Sequence, residues 1–234
     1  MKIYNPQKKK LVNSVFKKVS KNYDLMNDIM SFGIHRLWKR NLIEWMGPQN
    51  NTRLIDVASG TGDLAKLFSL KLNNDCDVDC IEPNMNMLEN GKNKLKKFKN
   101  INWHMSPAEK LPFPDESFDY YTISFGIRNV DEISLVIKEA HRVLKVGGKF
   151  FCLEFSKIEN EIFNSFYKQY SKILPKIGKL VVGDSAPYDY LVKSIGTFYN
   201  QEELKNLIKN NGFSDVEFRN LSGGISAIHM GWKI

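Results

Sequence analysis

The sequence predicts an α/β protein with a seven-stranded, mostly parallel sheet and helices on both faces. Three observations lead there. From residue 53 onward, short apolar runs alternate with segments of helical periodicity, the pattern of parallel strands joined by crossover helices. A glycine-rich turn stands directly after the first of these runs. Near the end of the chain two further runs flank the tight Ser222-Gly223-Gly224 turn and read as two more strands.

The elements follow in order. Residues 8–22 place Leu11, Val12, Val15, Phe16 and Val19 at helical spacing. A short helix at 24–30 and a third at 35–46, with Leu37, Trp38, Leu42, Ile43 and Trp45 apolar, complete a helical N-terminal part that Gly47-Pro48 punctuates. Strands are expected at 53–58, 78–81, 102–105, 120–125 and 149–155, and helices at 63–71, 84–97 and 133–144. Beyond these, 160–174, 189–195 and 200–210 read as helices, with Gly212 as the last one's stop. Residues 216–220 and 227–232 read as strands. The expected organisation is a helical lid over 1–48, on the substrate side, and one compact unit over 49–234.

Composition narrows the class. The chain of 234 residues is 42% hydrophobic and 26% charged, globular values that allow a full core. No run approaches the roughly 18 apolar residues of a membrane span, and the basic start lacks the apolar core of a secretory signal. A cytoplasmic protein is expected. Cys76, Cys80 and Cys152 fall in strand-like segments without metal-type spacing and read as small buried apolar residues. Charge is concentrated. Residues 1–50 hold ten Lys/Arg against Asp24, Asp28 and Glu44, which is +7 of the total +8. Such a face suits nucleic acid or an anionic membrane, or is simply a solvated lysine-rich surface.

The turn reads Asp56-Val57-Ala58-Ser59-Gly60-Thr61-Gly62-Asp63. Gly60 and Gly62 lie at the carboxyl end of the first strand, where open α/β sheets bind ligands. Glu82, 22 residues after Gly60, ends the second strand and can accept hydrogen bonds from ribose hydroxyls. The spacing also fits the dinucleotide fingerprint. Asp63 would then face a pyrophosphate at the helix N-terminus and repel it. Asp56 and Asp63 suit a cofactor carrying an ammonium and a sulfonium, which favours S-adenosylmethionine (SAM). Capping of the helix is the plainer role for Asp63. Ala108, in the loop after the third strand, is expected beside the adenine, and Ser124, ending the fourth, over the cofactor's centre. Packing and a local hydrogen bond are the plainer roles for these two.

Longer motifs surround the loop. The chain carries Tyr23-Asp24-Leu25-Met26-Asn27-Asp28-Ile29-Met30-Ser31-Phe32-Gly33-Ile34-His35-Arg36-Leu37-Trp38 and, later, Arg142-Val143-Leu144-Lys145-Val146-Gly147-Gly148-Lys149-Phe150-Phe151-Cys152-Leu153-Glu154-Phe155-Ser156. Between them stand Ala108-Glu109-Lys110-Leu111-Pro112-Phe113 and Ile123-Ser124-Phe125-Gly126-Ile127-Arg128-Asn129-Val130. With the C-terminal residues 220–233, these motifs resemble the ubiquinone/menaquinone biosynthesis C-methyltransferases, the UbiE family. The resemblance implies a Rossmann-like class I SAM-dependent methyltransferase. It carries the SAM contacts over to Thr61, Glu82, Ala108 and Ser124, with Asp56, Gly60 and Gly62 in the loop. Glu82 stands where the family commonly has Asp, and Ser59 where Gly is frequent. Pro107 stands where the family has Asn, and it lacks both the amide and a backbone N–H.

The implied reaction is methyl transfer from SAM to a ring carbon of a prenylated quinol, either demethylmenaquinol or a methoxy-benzoquinol. It needs an aligned methyl, a stabilised phenolate and a proton acceptor. Arg128, Tyr23, Asp63 and His35 are the candidates. For Arg128 a salt bridge to a nearby acid is an equal alternative, and for Tyr23 and His35 helix packing. Phe16, Met26, Met30, Phe32 and Trp38 would make either a prenyl groove or plain core. No metal and no nucleic acid is expected. Transient contact with the inner face of the cytoplasmic membrane and a quinone-biosynthesis complex are expected partners, with a homodimer allowed. The rivals are an RNA methyltransferase, disfavoured because Ser124-Phe125-Gly126-Ile127 stands where a base-flipping Asn-Pro-Pro-Tyr motif would, and a non-catalytic scaffold.

Overall fold

The structure is a computed structural model that describes residues 28, 31, 33–158 and 186–234. The expected helices at 8–22 and 160–174, nearly all of 24–30, and Tyr23 with the apolar residues Phe16, Met26, Met30 and Phe32 lie outside the described residues.

The described chain runs α1 (His35–Met46), β1 (Thr52–Val57), α2 (Asp63–Lys71), β2 (Cys76–Ile81), α3 (Met85–Lys94), β3 (Ile101–His104), β4 (Phe118–Ser124), α4 (Ile133–Val143), β5 (Leu144–Phe155), α5 (Ala186–Gly196), α6 (Gln201–Lys209), β6 (Ser214–Leu221) and β7 (Ser226–Trp232). The strands form one seven-stranded sheet in the order β3-β2-β1-β4-β5-β7-β6. Strands β1 to β5 pair in parallel, and β7 lies antiparallel between β5 and β6. The predicted α/β fold is thus the observed one. β5 begins earlier than expected: Leu144 already pairs with Phe118, and the turn with Gly147 at φ 79° lies in the register shift before Lys149 pairs with Tyr120.

Strand alternation builds two cores. In β5, Phe151 and Leu153 point to one face and Phe150 and Cys152 to the other. The first face is covered by Trp38, Leu42, Ile43 and Met46 of α1, Leu64 and Phe68 of α2, and Tyr188, Leu191 and Ile195 of α5. The second is covered by Val136, Ile137 and Ala140 of α4 and Leu204 and Ile208 of α6. An Asn200–Glu203 capping box starts α6. The cysteines are free and buried, as expected.

α1 is part of the first core. Trp38 is 3% exposed, stands edge-on to Phe155 at 6.0 Å and donates from Nε1 to Ser222 Oγ at 2.9 Å. It packs in the core and does not line an open groove. The strand order fixes where a ligand can sit. From β1 the chain steps outward through β2 to β3, then returns to β4 on β1's other side. The switch point lies between the carboxyl ends of β1 and β4, where such sheets hold ligands.

Candidate active site

The glycine loop leaves β1 at that switch point. Gly62, at φ 80°, starts α2, and a Cβ there would come within 2.6 Å of Leu95 Cδ1, so only glycine lets the loop lie this close to α3's end. Ser59 Oγ donates to the Asp56 carbonyl at 2.7 Å and ties the loop to its strand. Across the switch point, Gly126 brings β4's exit against the loop: a Cβ there would meet Ala58 Cβ at 2.5 Å.

A small cleft opens over this loop, lined by Lys39, Asp56, Ala58, Ser59, Thr61, Asp63, Leu64 and Ser124. Ser124 Oγ is buried with no hydrogen-bond partner among the described residues, so the cleft contains an unmet polar group.

Asp56 sits at the floor, 2% exposed, and accepts from Thr122 Oγ1 at 2.7 Å. The two residues are register partners on β1 and β4. Burial pushes the Asp56 carboxyl up to about 7, against the opposing pull of Thr122 and of Lys39. Asp63 behaves oppositely. Burial would raise it too, but Lys39 and Lys94 outweigh that and hold it well below the usual carboxylate range. Lys39 Nζ donates to Asp63 Oδ2 at 2.8 Å, and Lys94 Nζ donates to Oδ1 at 2.9 Å and to Thr61 Oγ1 at 3.0 Å. The N-cap of α2 is Gly62, and Asp63 stands as an acid in the helix's first turn.

This corrects the sequence expectation about charge. Asp63 alone would repel an anion, but Asp63 with two lysines carries a net positive charge. The cleft can therefore receive both signs, and the charge of Asp63 does not by itself exclude a phosphate. Spacing gave no notice of Lys39 or Lys94, which sit 24 and 31 residues from Asp63. One signal existed for Lys39: it shares the i, i+3, i+4, i+7 stripe of Leu42, Ile43 and Met46, which makes it a lysine on a buried helix face.

Glu82 lies at the end of β2 beside the loop. Its Oε2 accepts from Gly60 N at 2.9 Å and its Oε1 from Asn84 N at 3.0 Å. Burial raises its carboxyl to about 7 although both amides pull the other way. Each oxygen keeps a second lone pair for a ligand. Pro107 is exposed and Ala108 buried in the loop after β3; neither lines the cleft, and Ala108 packs in the second core.

Arg128 follows β4 and is buried. Its Nη1 donates to the Phe125 carbonyl at 2.8 Å and forms an ion pair with Glu154 of β5. Of the two readings of Arg128, the structure shows the ion pair. Burial raises the Glu154 carboxyl while Arg128 lowers it. Phe155 N also donates to Glu154 Oε1, at 2.8 Å. The Arg128 guanidinium lies 5.4 Å from the Phe155 ring centre. Glu154, which lies across the β4–β5 register, was not legible as a partner of Arg128. His35 is 3% exposed at the start of α1, with Nδ1 2.8 Å from Ser31 Oγ. Burial, then nearby Lys39, lowers it to about 4. The structure thus brings Asp56, Thr61, Asp63 and Ser124 together, places Glu82 and Gly60 in direct contact, and sets Arg128 and His35 outside the cleft lining.

The sequence model of the ubiE/COQ5 methyltransferase family matches residues 3–233. The chain belongs to that family. It is 50% identical over its whole length, and over 96% of the relative's, to a protein of Rickettsia akari named ubiquinone/menaquinone biosynthesis C-methyltransferase UbiE. It is 48% identical, with the same coverage, to the protein of that name from Rickettsia prowazekii. Among solved structures, a SAM-dependent methyltransferase of Thermotoga maritima shares the fold with a TM-score of 0.68 at 21% identity, over 95% of this chain and 100% of that one. A SAM-dependent methyltransferase of Aquifex aeolicus shares it with a TM-score of 0.63 at 16% identity, over 84% and 89%. The resemblance carried by the long motifs is therefore family membership over the full chain, and the enzyme class is methyltransferase.

Proposed function

We propose that the chain transfers a methyl group from SAM to a ring carbon of a prenylated quinol, in menaquinone or ubiquinone synthesis. The observation that carries this is identity of about half, over the full length, with proteins named for that reaction. The cleft is consistent with the donor. Gly60 and Gly62 let the backbone approach a ligand, Asp56 can answer an ammonium, and Ser124 Oγ offers an unused hydrogen bond. Glu82 would take the ribose hydroxyls with its free lone pairs, beside the loop after β3 that holds Pro107 and Ala108. SAM supplies an electrophilic methyl group.

The remaining work falls to the chain. Arg128, fixed by Glu154 and flanked by Phe125 and Phe155, would place a cation in an apolar setting beside a developing phenolate, where charge counts most. Asp63, held ionised by two lysines, is a poor proton acceptor and serves to orient Lys39 and Thr61's neighbour Lys94. His35 is the neutral imidazole at neutral pH, but the burial and the nearby Lys39 that lower it to about 4 make it a weak base, so any proton it takes from the substrate is held only briefly. Tyr23 belongs to the expected lid 1–48; since α1 packs in the first core, we propose the role of a substrate-side lid for the residues before α1. The surplus of Lys and Arg over residues 1–50 suits the anionic surface where a prenylated substrate resides. Among the described residues no helix is long and apolar enough to cross a membrane.

The test is incubation with methyl-labelled SAM and, in parallel, reduced demethylated quinols or total RNA. Label in quinol alone is expected. Label in RNA and not in quinol overturns the proposal.

A further inference from the structure

Lys39 is the least expected group in the cleft. Lysine is rarely buried without a partner, and this one is 8% exposed, carried on a helix whose neighbouring side chains anchor it in the core. Its ammonium reaches the cleft and, among the described residues, donates to Asp63 alone, which leaves two of its three donors. Asp63 is already bound by Lys94. One carboxylate between two ammonium groups leaves a surplus positive charge, and of the two lysines Lys39 is the one that lines the cleft. The group this arrangement lacks is an anionic oxygen, and a SAM molecule in the proposed orientation has one, the carboxylate of its methionine end.

We propose that Lys39 binds the carboxylate of the cofactor's amino-acid end, so that Lys39 and Asp56 together read the zwitterion. The assignment rests on the cofactor reading above and deepens it. A second source of anionic oxygen is the phenolate of the substrate. The carboxylate is favoured because Lys39 stands over the glycine loop with Asp56 and Thr61, whereas Arg128, paired with Glu154, is absent from the cleft lining. The assignment also gives α1 a part in cofactor binding that no residue of the loop itself supplies.

The experiment is calorimetric titration, without quinol, of SAM and of decarboxylated SAM, which keeps the sulfonium and adenosine but lacks the carboxylate. Wild type, Lys39→Met and Lys39→Arg are compared. Methionine preserves the stem's packing, and Lys94 still compensates Asp63, so the fold is retained. Wild type is expected to bind SAM at least about tenfold more tightly than the decarboxylated form, in line with a charge-assisted bond. In Lys39→Met the preference falls to about twofold or less, and Lys39→Arg restores most of it. If Lys39 merely braces Asp63, both ligands weaken together in Lys39→Met and the ratio is unchanged, which overturns the assignment. The same unchanged ratio with a loss of turnover alone would give Lys39 to the phenolate and also overturn it. Equal wild-type affinity for both ligands removes the carboxylate contact while leaving the cofactor reading intact; no wild-type binding of either ligand removes both.

Discussion

Asp56→Asn separates the electrostatics of the cleft floor from its packing. Asparagine has the same shape, and its Oδ1 can still accept the hydroxyl of Thr122 that Asp56 Oδ1 accepts at 2.7 Å. What disappears is the titration. The carboxyl is raised from 3.8 to about 7 by burial. A folded-state value above the unfolded one means that the protonated form favours folding. That contribution is complete below about pH 4 and is lost as pH rises towards 7. At about 1.4 kcal/mol per unit, the ionised carboxylate costs about 4 kcal/mol by about pH 8, and roughly 2.5 kcal/mol of this accrues above about pH 5. The ligand-free Asn variant should therefore gain on wild type by about 2–3 kcal/mol between those two pH values, read by urea unfolding at each. The gain should be accompanied by weaker SAM binding, because the same charge is the one that faces the cofactor's ammonium. A stability difference independent of pH would refute the reasoning, since it would mean that Asp56 is not a strained acid at all.

Other consequences follow from the geometry. Glu82→Ala removes the acceptor of Gly60 N and Asn84 N as well as the ribose partner, so SAM affinity should fall at least about tenfold by calorimetry, with unchanged affinity removing Glu82 from the site. Arg128→Ala leaves Glu154 charged, buried and unpaired and should cost about 3–5 kcal/mol of stability. The double variant Arg128→Met with Glu154→Gln should recover most of that stability in denaturant melts yet remain inactive, and full activity in it would release Arg128 from catalysis. Gly126→Ala sets a methyl against Ala58 Cβ and should cost about 1–3 kcal/mol while loosening SAM binding, to be read by thermal melts with and without SAM.

The sheet was legible because local signals agree with it. Each parallel strand is a short apolar run, each helix an amphipathic one, and Gly60 and Gly62 mark the end of β1. The loop acids were legible for the same reason, since Asp56, Asp63 and Glu82 stand at fixed offsets from those glycines. Partners brought in by tertiary structure were not. Lys39 reads as one more charge on a basic N-terminal face until α1 packs on α2 and turns it towards Asp63. Glu154 becomes the partner of Arg128, and Thr122 of Asp56, only once the β4–β5 and β1–β4 pairings exist. The consequence was an error of sign: Asp63 reads as bare negative charge in the sequence and is the centre of a net positive cluster in the fold. Trp38 shows the converse, an aromatic that could line a groove and instead fills the core.

The most direct test of the central claim is the position of the transferred methyl. With carbon-13 methyl-labelled SAM and a reduced demethylated prenyl quinol, NMR of the product should show the label as a methyl on a ring carbon, and the oxidised quinone should give none. A label found on oxygen, or equal transfer to the oxidised ring, would contradict carbon attack by an electron-rich quinol.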